Sequence, residues 1–171
     1  MNKWYQKYIE IYNKPLREVP KSIISEVSFK ISNIKSNNPV VSLAVIALNE
    51  EEHILSCLWS LSNQKTKFDF EIIGVDCLSD DRTPEIYEIL GIKYISSQRG
   101  HGFARTKALE QAKGKYLIQI DSDTIYPEDY VQKIVEKLSM NGVVAVNANF
   151  QIISVDSFAI NFGHRVYEFT R

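Results

Sequence analysis

Two carboxylates one residue apart, Asp121 and Asp123 around Ser122, follow the apolar run Tyr116 to Ile120. Held in a turn, such a pair can approach one hard divalent cation, directly or through water. A bound Mn²⁺ or Mg²⁺ can hold phosphate oxygens and, as a Lewis acid, stabilise the charge that develops on a departing diphosphate. Taken alone, the triplet is also a common turn and helix-cap pattern. Its place behind an apolar run is what favours a ligand site. Asp76 follows a second apolar run, Phe70 to Val75. A carboxylate there can accept a hydrogen bond from a nucleobase ring nitrogen or a ribose hydroxyl, or can cap a turn. The stretch Ser79-Asp80-Asp81-Arg82-Thr83 reads as turn and cap chemistry, and no catalytic role is assigned to it.

Arg99 and Arg105 bracket Gly100-His101-Gly102. Their guanidinium forks suit phosphate oxygens, although a solvated or ion-paired arginine is the plainer alternative. A Walker lysine motif and a strand-turn G-x-G-x-x-G are both absent, which argues against an ATPase and a dinucleotide enzyme. His53, His101 and His164 lack metal-ligand spacing and the two cysteines form no CxxC pair, so zinc is not expected. The 20 basic and 21 acidic residues nearly cancel, which removes the electrostatic footprint of a nucleic-acid partner.

These groups need a scaffold that brings strand ends together. With 44% hydrophobic and 24% charged residues, the 171-residue chain has the composition of a globular domain with one sizeable core. Apolar runs at Val40 to Leu48, Phe70 to Val75, Ile92 to Ile95, Tyr116 to Ile120 and Val143 to Val146 alternate with helical segments. This is the signature of βαβ units around a mainly parallel sheet with helices on both faces. A helix is expected from an Asn49 cap with Glu52 three residues on, a second from Thr83 and Pro84 to a stop at Gly91, a third from Ala104 to Ala112 with Gly114 as its stop, and a fourth from Pro127 to Asn141-Gly142. In such a sheet, ligands bind beyond the carboxyl ends of the strands, where all the polar groups above would meet.

The polar cluster Ser36-Asn37-Asn38-Pro39 marks a boundary between an N-terminal extension, residues 1–38, and the main domain, residues 39–171. Trp4, Tyr5, Tyr8, Ile9 and Tyr12 recur at helical spacing and predict a short amphipathic helix that packs on the main domain. The first ten residues lack the apolar core of a signal peptide, no run is long enough to span a membrane, and Cys57 and Cys77 suit a reduced setting. A cytoplasmic protein is expected, with peripheral membrane contact as an option.

In chain order and spacing, these residues as a set resemble the family 2 glycosyltransferases of GT-A fold, over about Pro39 to Phe150. The parts that match are Val45-Ile46-Ala47-Leu48-Asn49-Glu50-Glu51, Ile73 to Thr83 around Asp76, Arg99-Gly100-His101-Gly102-Phe103-Ala104-Arg105, Ala112 to Tyr116, and Asp121-Ser122-Asp123. The resemblance implies a Rossmann-like GT-A domain that transfers a sugar from a nucleoside-diphosphate sugar to an unknown glycan, lipid or protein acceptor, with inversion. It implies that Ala47, Leu48, Asn49, Glu50 and Asp76 hold the nucleoside and that Arg99, Gly102 and Arg105 flank the donor. Asp121 and Ser122 would lie at the nucleotide sugar, and Asp121 and Asp123 would bind the Mn²⁺ or Mg²⁺. The sequence departs from the common pattern at Cys77 and Leu78, where an acidic and a small residue are usual, which leaves the base open. Beyond the fourth helix only Asp156 and Glu168 are acidic, neither in a recognisable base motif. The acceptor side is therefore expected to be minimal or truncated, with Asp156 a weak candidate for the base. A catalytically silent nucleotide-sugar-binding domain and a nucleotidyltransferase are the alternatives.

Overall fold

The computed structural model describes residues 4–34 and 36–148. The chain opens with α1 (Gln6–Ile9), a 3₁₀ turn at Leu16–Glu18 and α2 (Lys21–Ser32). Then follow β1 (Val41–Ala47), α3 (Ile54–Ser62), β2 (Phe70–Asp76), α4 (Thr83–Ile89), β3 (Tyr94–Ser96), α5 (His101–Gln111), β4 (Tyr116–Asp121) and α6 (Tyr130–Leu138). The four strands form one sheet in the order β3-β2-β1-β4, with every neighbouring pair parallel.

Apolar, β-branched side chains on both faces make β1 a central strand. Val41, Leu43, Val45 and Ala47 enter the larger core with Ile54, Leu58, Leu61, Ile86, Ile120, Val131 and Val135. Ala44 turns to the opposite face and packs with Val75, Cys77, Ala104 and Ala108, so α5 covers that side through two alanines. Small residues let α5 approach the sheet closely, and Gly114 extends the same contact. A Cβ at Gly114 would lie 2.6 Å from the Ser42 nitrogen and the Val41 carbonyl carbon. The Ser42 hydroxyl accepts the backbone N–H groups of Lys113 and Gly114 there.

The N-terminal residues share this core. Tyr8, Ile11, Leu16, Val19, Val27 and Ile31 are buried in the same cluster as Leu43 and Trp59. On α2, Ile23, Ile24, Val27 and Ile31 recur at helical spacing against α3. The Trp59 indole N–H donates to Glu26 Oε1 at 3.2 Å, and Lys30 Nζ reaches both Glu26 and Asn63.

Several expected elements differ. Val143 to Val146 is not a strand, and β4 has β1 as its one partner among the described residues. Asn49 does not cap α3. Its φ of 57° is left-handed, and the helix begins only at Ile54. The α5 helix starts three residues before Ala104, at His101, and its C-cap is Ala112; Gly114 serves packing instead. The α6 helix starts at Tyr130, three residues after the expected Pro127, with Asp129 as its N-cap. The α2 helix was not expected from the sequence, because the flanking prolines and polar residues mask its short apolar repeat. The second expected helix matches, with Pro84 in its first turn and Gly91 after it at φ 68°.

Candidate active site

The register makes the strand ends flush. Ala47 lies opposite Asp76, Asp76 opposite Ser96, and Ile46 opposite Asp121. The chain moves outward from β1 to β2 and β3, then returns to place β4 on the other side of β1. The crevice at such a reversal is where open α/β sheets bind ligands, and here the β1–α3 and β4–α6 loops flank it.

Asp76 is the last residue of β2, with only 4% of its surface exposed. One carboxylate oxygen accepts the Ser79 N–H at 3.2 Å, while Oδ1 is buried without a hydrogen-bond partner among the described residues. An unsatisfied buried acceptor costs roughly 1–3 kcal/mol, so its retention at the mouth of a crevice points to an external donor. Leu78, just beyond, has φ 58°, a left-handed conformation that costs a bulky residue roughly 1–2 kcal/mol. The Leu78 carbonyl is held by Arg99 Nη2 at 3.0 Å, and Arg99 also pairs with Asp80. Arg99 is thus spent on bracing the loop after β2.

The loop after β1 is laced to the same segment. Asn49 donates its N–H to Ser79 Oγ and accepts the Asp80 N–H on Oδ1. Glu50 N–H donates to Thr83 Oγ1 at 2.8 Å, and Glu51 N–H to Asp81 Oδ2 at 3.0 Å. The Ser79 to Thr83 stretch therefore does the turn and cap work expected of it. Ala47 is buried and Leu48 exposed on this rim.

Across the crevice, Asp121 and Asp123 are exposed while Ser122 between them is buried. The turn is fixed by its backbone. Asp121 N–H donates to Tyr126 Oη at 3.0 Å, Thr124 N–H returns to the Asp121 carbonyl, and Tyr12 Oη donates to the Asp123 carbonyl at 2.8 Å. Among the described residues, Asp76, Asp121 and Asp123 lack any lysine or arginine ion pair, and Glu50 has only His53. The acidity of this rim shows in its neighbours. Burial, with Asp123, Asp121 and Glu50 adding to it, pushes the Cys57 thiol well above its ordinary value; burial and then Asp76 push Cys77 up. A rim with this excess of carboxylate is suited to a cation. Two carboxylates do not saturate a Mg²⁺ or Mn²⁺, and no group of three or more His, Cys, Asp or Glu is placed to hold a metal among the described residues. Such ions commonly take one or two carboxylates and complete their shell with water and substrate phosphate, so the donor set fits that use.

Gly102 lies in the first turn of α5 with open space around it, and Arg105 one turn on is exposed and without an ion pair among the described residues. The loop order brings the start of α5 to the same rim. Asp156, Glu168 and the aromatic tail from Phe158 lie outside the described residues. Three groups at the rim were not picked out from the sequence: Tyr12, Asn13 and His53. His53 Nδ1 lies 2.7 Å from Glu50 Oε2 and Nε2 lies 2.9 Å from Asn13 Oδ1. The spacing of His53 three residues after Glu50 was a local signal for that pair; the contacts to Tyr12 and Asn13 had none.

Fold and rim together define a doubly wound α/β domain with an acidic rim at its switch point. Residues 42–171 match the family model described as glycosyl transferase family 2, and the chain belongs to that family. The glycosyltransferase AglE of Haloferax volcanii is 32% identical over 124 residues, which cover 68% of this chain and 41% of AglE. The crystal structure of S. aureus TarS 1-349 in complex with UDP-GlcNAc matches at TM-score 0.50 and 26% identity, covering 63% of this chain and 37% of that one. The mannosyltransferase PcManGT from Pyrobaculum calidifontis, solved with GDP-Man and Mn²⁺, matches at TM-score 0.55 and 19% identity over 82% of this chain and 46% of that one, a likeness of fold. The chain thus spans less than half the length of each of these relatives. No helix among the described residues is long and apolar enough to cross a membrane.

Proposed function

We propose that the crevice binds a nucleoside-diphosphate sugar and that the protein transfers the sugar to an acceptor hydroxyl. The observation that carries this is the unpartnered Oδ1 of Asp76, buried at the switch point opposite the exposed Asp121 and Asp123. Family membership and the TarS complex with UDP-GlcNAc support the donor class.

Asp76 Oδ1 calls for a ring N–H donor. Uracil and guanine carry one on their Watson–Crick edge, whereas adenine and cytosine present a bare acceptor at the equivalent ring nitrogen and would leave two acceptors face to face. Ala47, Leu48, Asn49 and Glu50 form the wall beside the base. Asp121 and Asp123 hold the divalent cation, with Ser122 buried beneath the turn, and Gly102 and Arg105 at the start of α5 lie toward the donor phosphates. When bound, the cation neutralises the charge that grows on the leaving diphosphate. In the transfer, the bond from anomeric carbon to phosphate oxygen breaks, a bond to the acceptor oxygen forms on the opposite face, and the acceptor proton passes to a carboxylate. That order gives inversion.

Calorimetric titration with UDP, GDP, ADP and CDP in the presence of Mn²⁺ tests the donor assignment. UDP or GDP should bind about tenfold or more tightly than ADP and CDP, since a mismatched buried polar group costs about 1–3 kcal/mol. Equal affinity for all four would remove Asp76 from base recognition.

A further inference from the structure

The family match begins at residue 42, yet Tyr12 and Asn13, some 30 residues earlier, touch both loops of the crevice. Tyr12 Oη donates to the Asp123 carbonyl at 2.8 Å, bridging 111 residues of sequence. Its ring lies 4.7 Å from that of His53. Asn13 reaches His53 Nε2 through Oδ1 and donates its backbone N–H to the Glu52 carbonyl at 3.1 Å, in a left-handed conformation at φ 62°. Asparagine tolerates that conformation better than most side chains. His53 in turn holds Glu50. Upstream, Tyr8 is buried against α3, where Ser56 Oγ donates to its carbonyl at 3.0 Å, four residues before the contacts with the rim begin.

We infer that Tyr12 is a positioning residue of the donor site: from the N-terminal segment it fixes the Asp123 peptide so that the acidic turn is arranged for a cation before one arrives. Asp123 lies in an exposed turn, where an unpinned peptide samples several orientations, and ordering it on binding would weaken affinity. Asn13 does for the facing loop, through His53, what Tyr12 does for this turn. The role holds only if Asp121 and Asp123 bind the cation, as proposed above.

The test is Mn²⁺ binding to the full chain in the presence of UDP, read from the paramagnetic resonance of free Mn²⁺, for wild type, Tyr12→Phe, Ser56→Ala and Asp123→Ala. Tyr12→Phe keeps the ring and deletes one hydrogen bond, so Mn²⁺ affinity should fall about three- to tenfold. Ser56→Ala loosens the same segment without touching the turn and should leave Mn²⁺ affinity at the wild-type value. Wild-type affinity in Tyr12→Phe, with binding lost in Asp123→Ala, would overturn the positioning role and leave the cation site standing. Equal weakening in Tyr12→Phe and Ser56→Ala would also overturn it, since the segment would then act through stability alone. Undiminished binding in Asp123→Ala would refute the cation site itself and the role of Tyr12 with it.

Discussion

At the scale of single residues, the rim carries an unmet acceptor and a strained backbone that stability alone would not favour. Asp76 buries an oxygen with nothing to accept from, and Leu78 holds a left-handed backbone that Arg99 braces from outside. Such defects persist where a ligand relieves them. Asp76→Asn keeps the shape but removes the buried charge. It should weaken UDP or GDP binding by about tenfold or more, because hydrogen bonds to charged groups contribute roughly 1.5–3 kcal/mol, while leaving Tm unchanged or raised. A lowered Tm with unchanged nucleotide affinity would make Asp76 a structural residue. The placement of Asp76, Asp121 and Asp123 at the ends of strands was legible in the sequence because each follows or closes an apolar run. Arg99 was legible as a rim residue, but its contacts to Leu78 and Asp80 were not, since these come from a different loop.

At the scale of elements, burial on both faces made β1 and β2 readable, apolar composition made β3 and β4 readable, and Pro84 and Gly91 made α4 readable. The misassignments share a cause. Asn49 and Glu52 have the spacing of a capping pair, but the Asn49 side chain is used between loops, where it accepts from Asp80. Val143 to Val146 has strand composition without a strand partner among the described residues. Gly114 resembles a helix stop, yet its lack of a side chain is needed for the crossing from α5 to β4 over the backbone of β1. A methyl group there would meet Val41 and Ser42 backbone atoms at 2.6 Å, and backbone cannot yield as a flexible side chain can. Gly114→Ala should therefore destabilise the fold by about 1–3 kcal/mol, read as a lower midpoint in urea at unchanged m-value. An unchanged midpoint would show that α5 and its connection float free of the sheet edge.

At the scale of the whole molecule, the core is closed by aromatic residues from distant parts of the chain. Burial pushes Tyr8 and Tyr130 up to about 12 and Tyr126 higher still, against an ordinary value of 10.0. In the unfolded chain these hydroxyls lose their protons near 10, whereas the native protein retains them, so the native state binds more protons over this range. Stability should fall as pH rises from about 10 toward 12, visible as a declining Tm; a flat profile there would mean that these rings are solvated. The same core joins the N-terminal helices to the sheet, as the aromatic spacing from Trp4 to Tyr12 led one to expect, while the particular partners, Trp59 for Tyr8 and Asp123 for Tyr12, lie too far along the chain to be read locally. Donor turnover by this assembly is read as nucleoside diphosphate release from a panel of UDP- and GDP-sugars with Mn²⁺, compared between wild type and Asp123→Ala. Release that requires Mn²⁺ and falls about 100-fold or more in Asp123→Ala, at unchanged Tm, is the expected result, in line with the several kcal/mol that a metal ion contributes to a developing diphosphate charge. Release that survives both chelation and the substitution would contradict it.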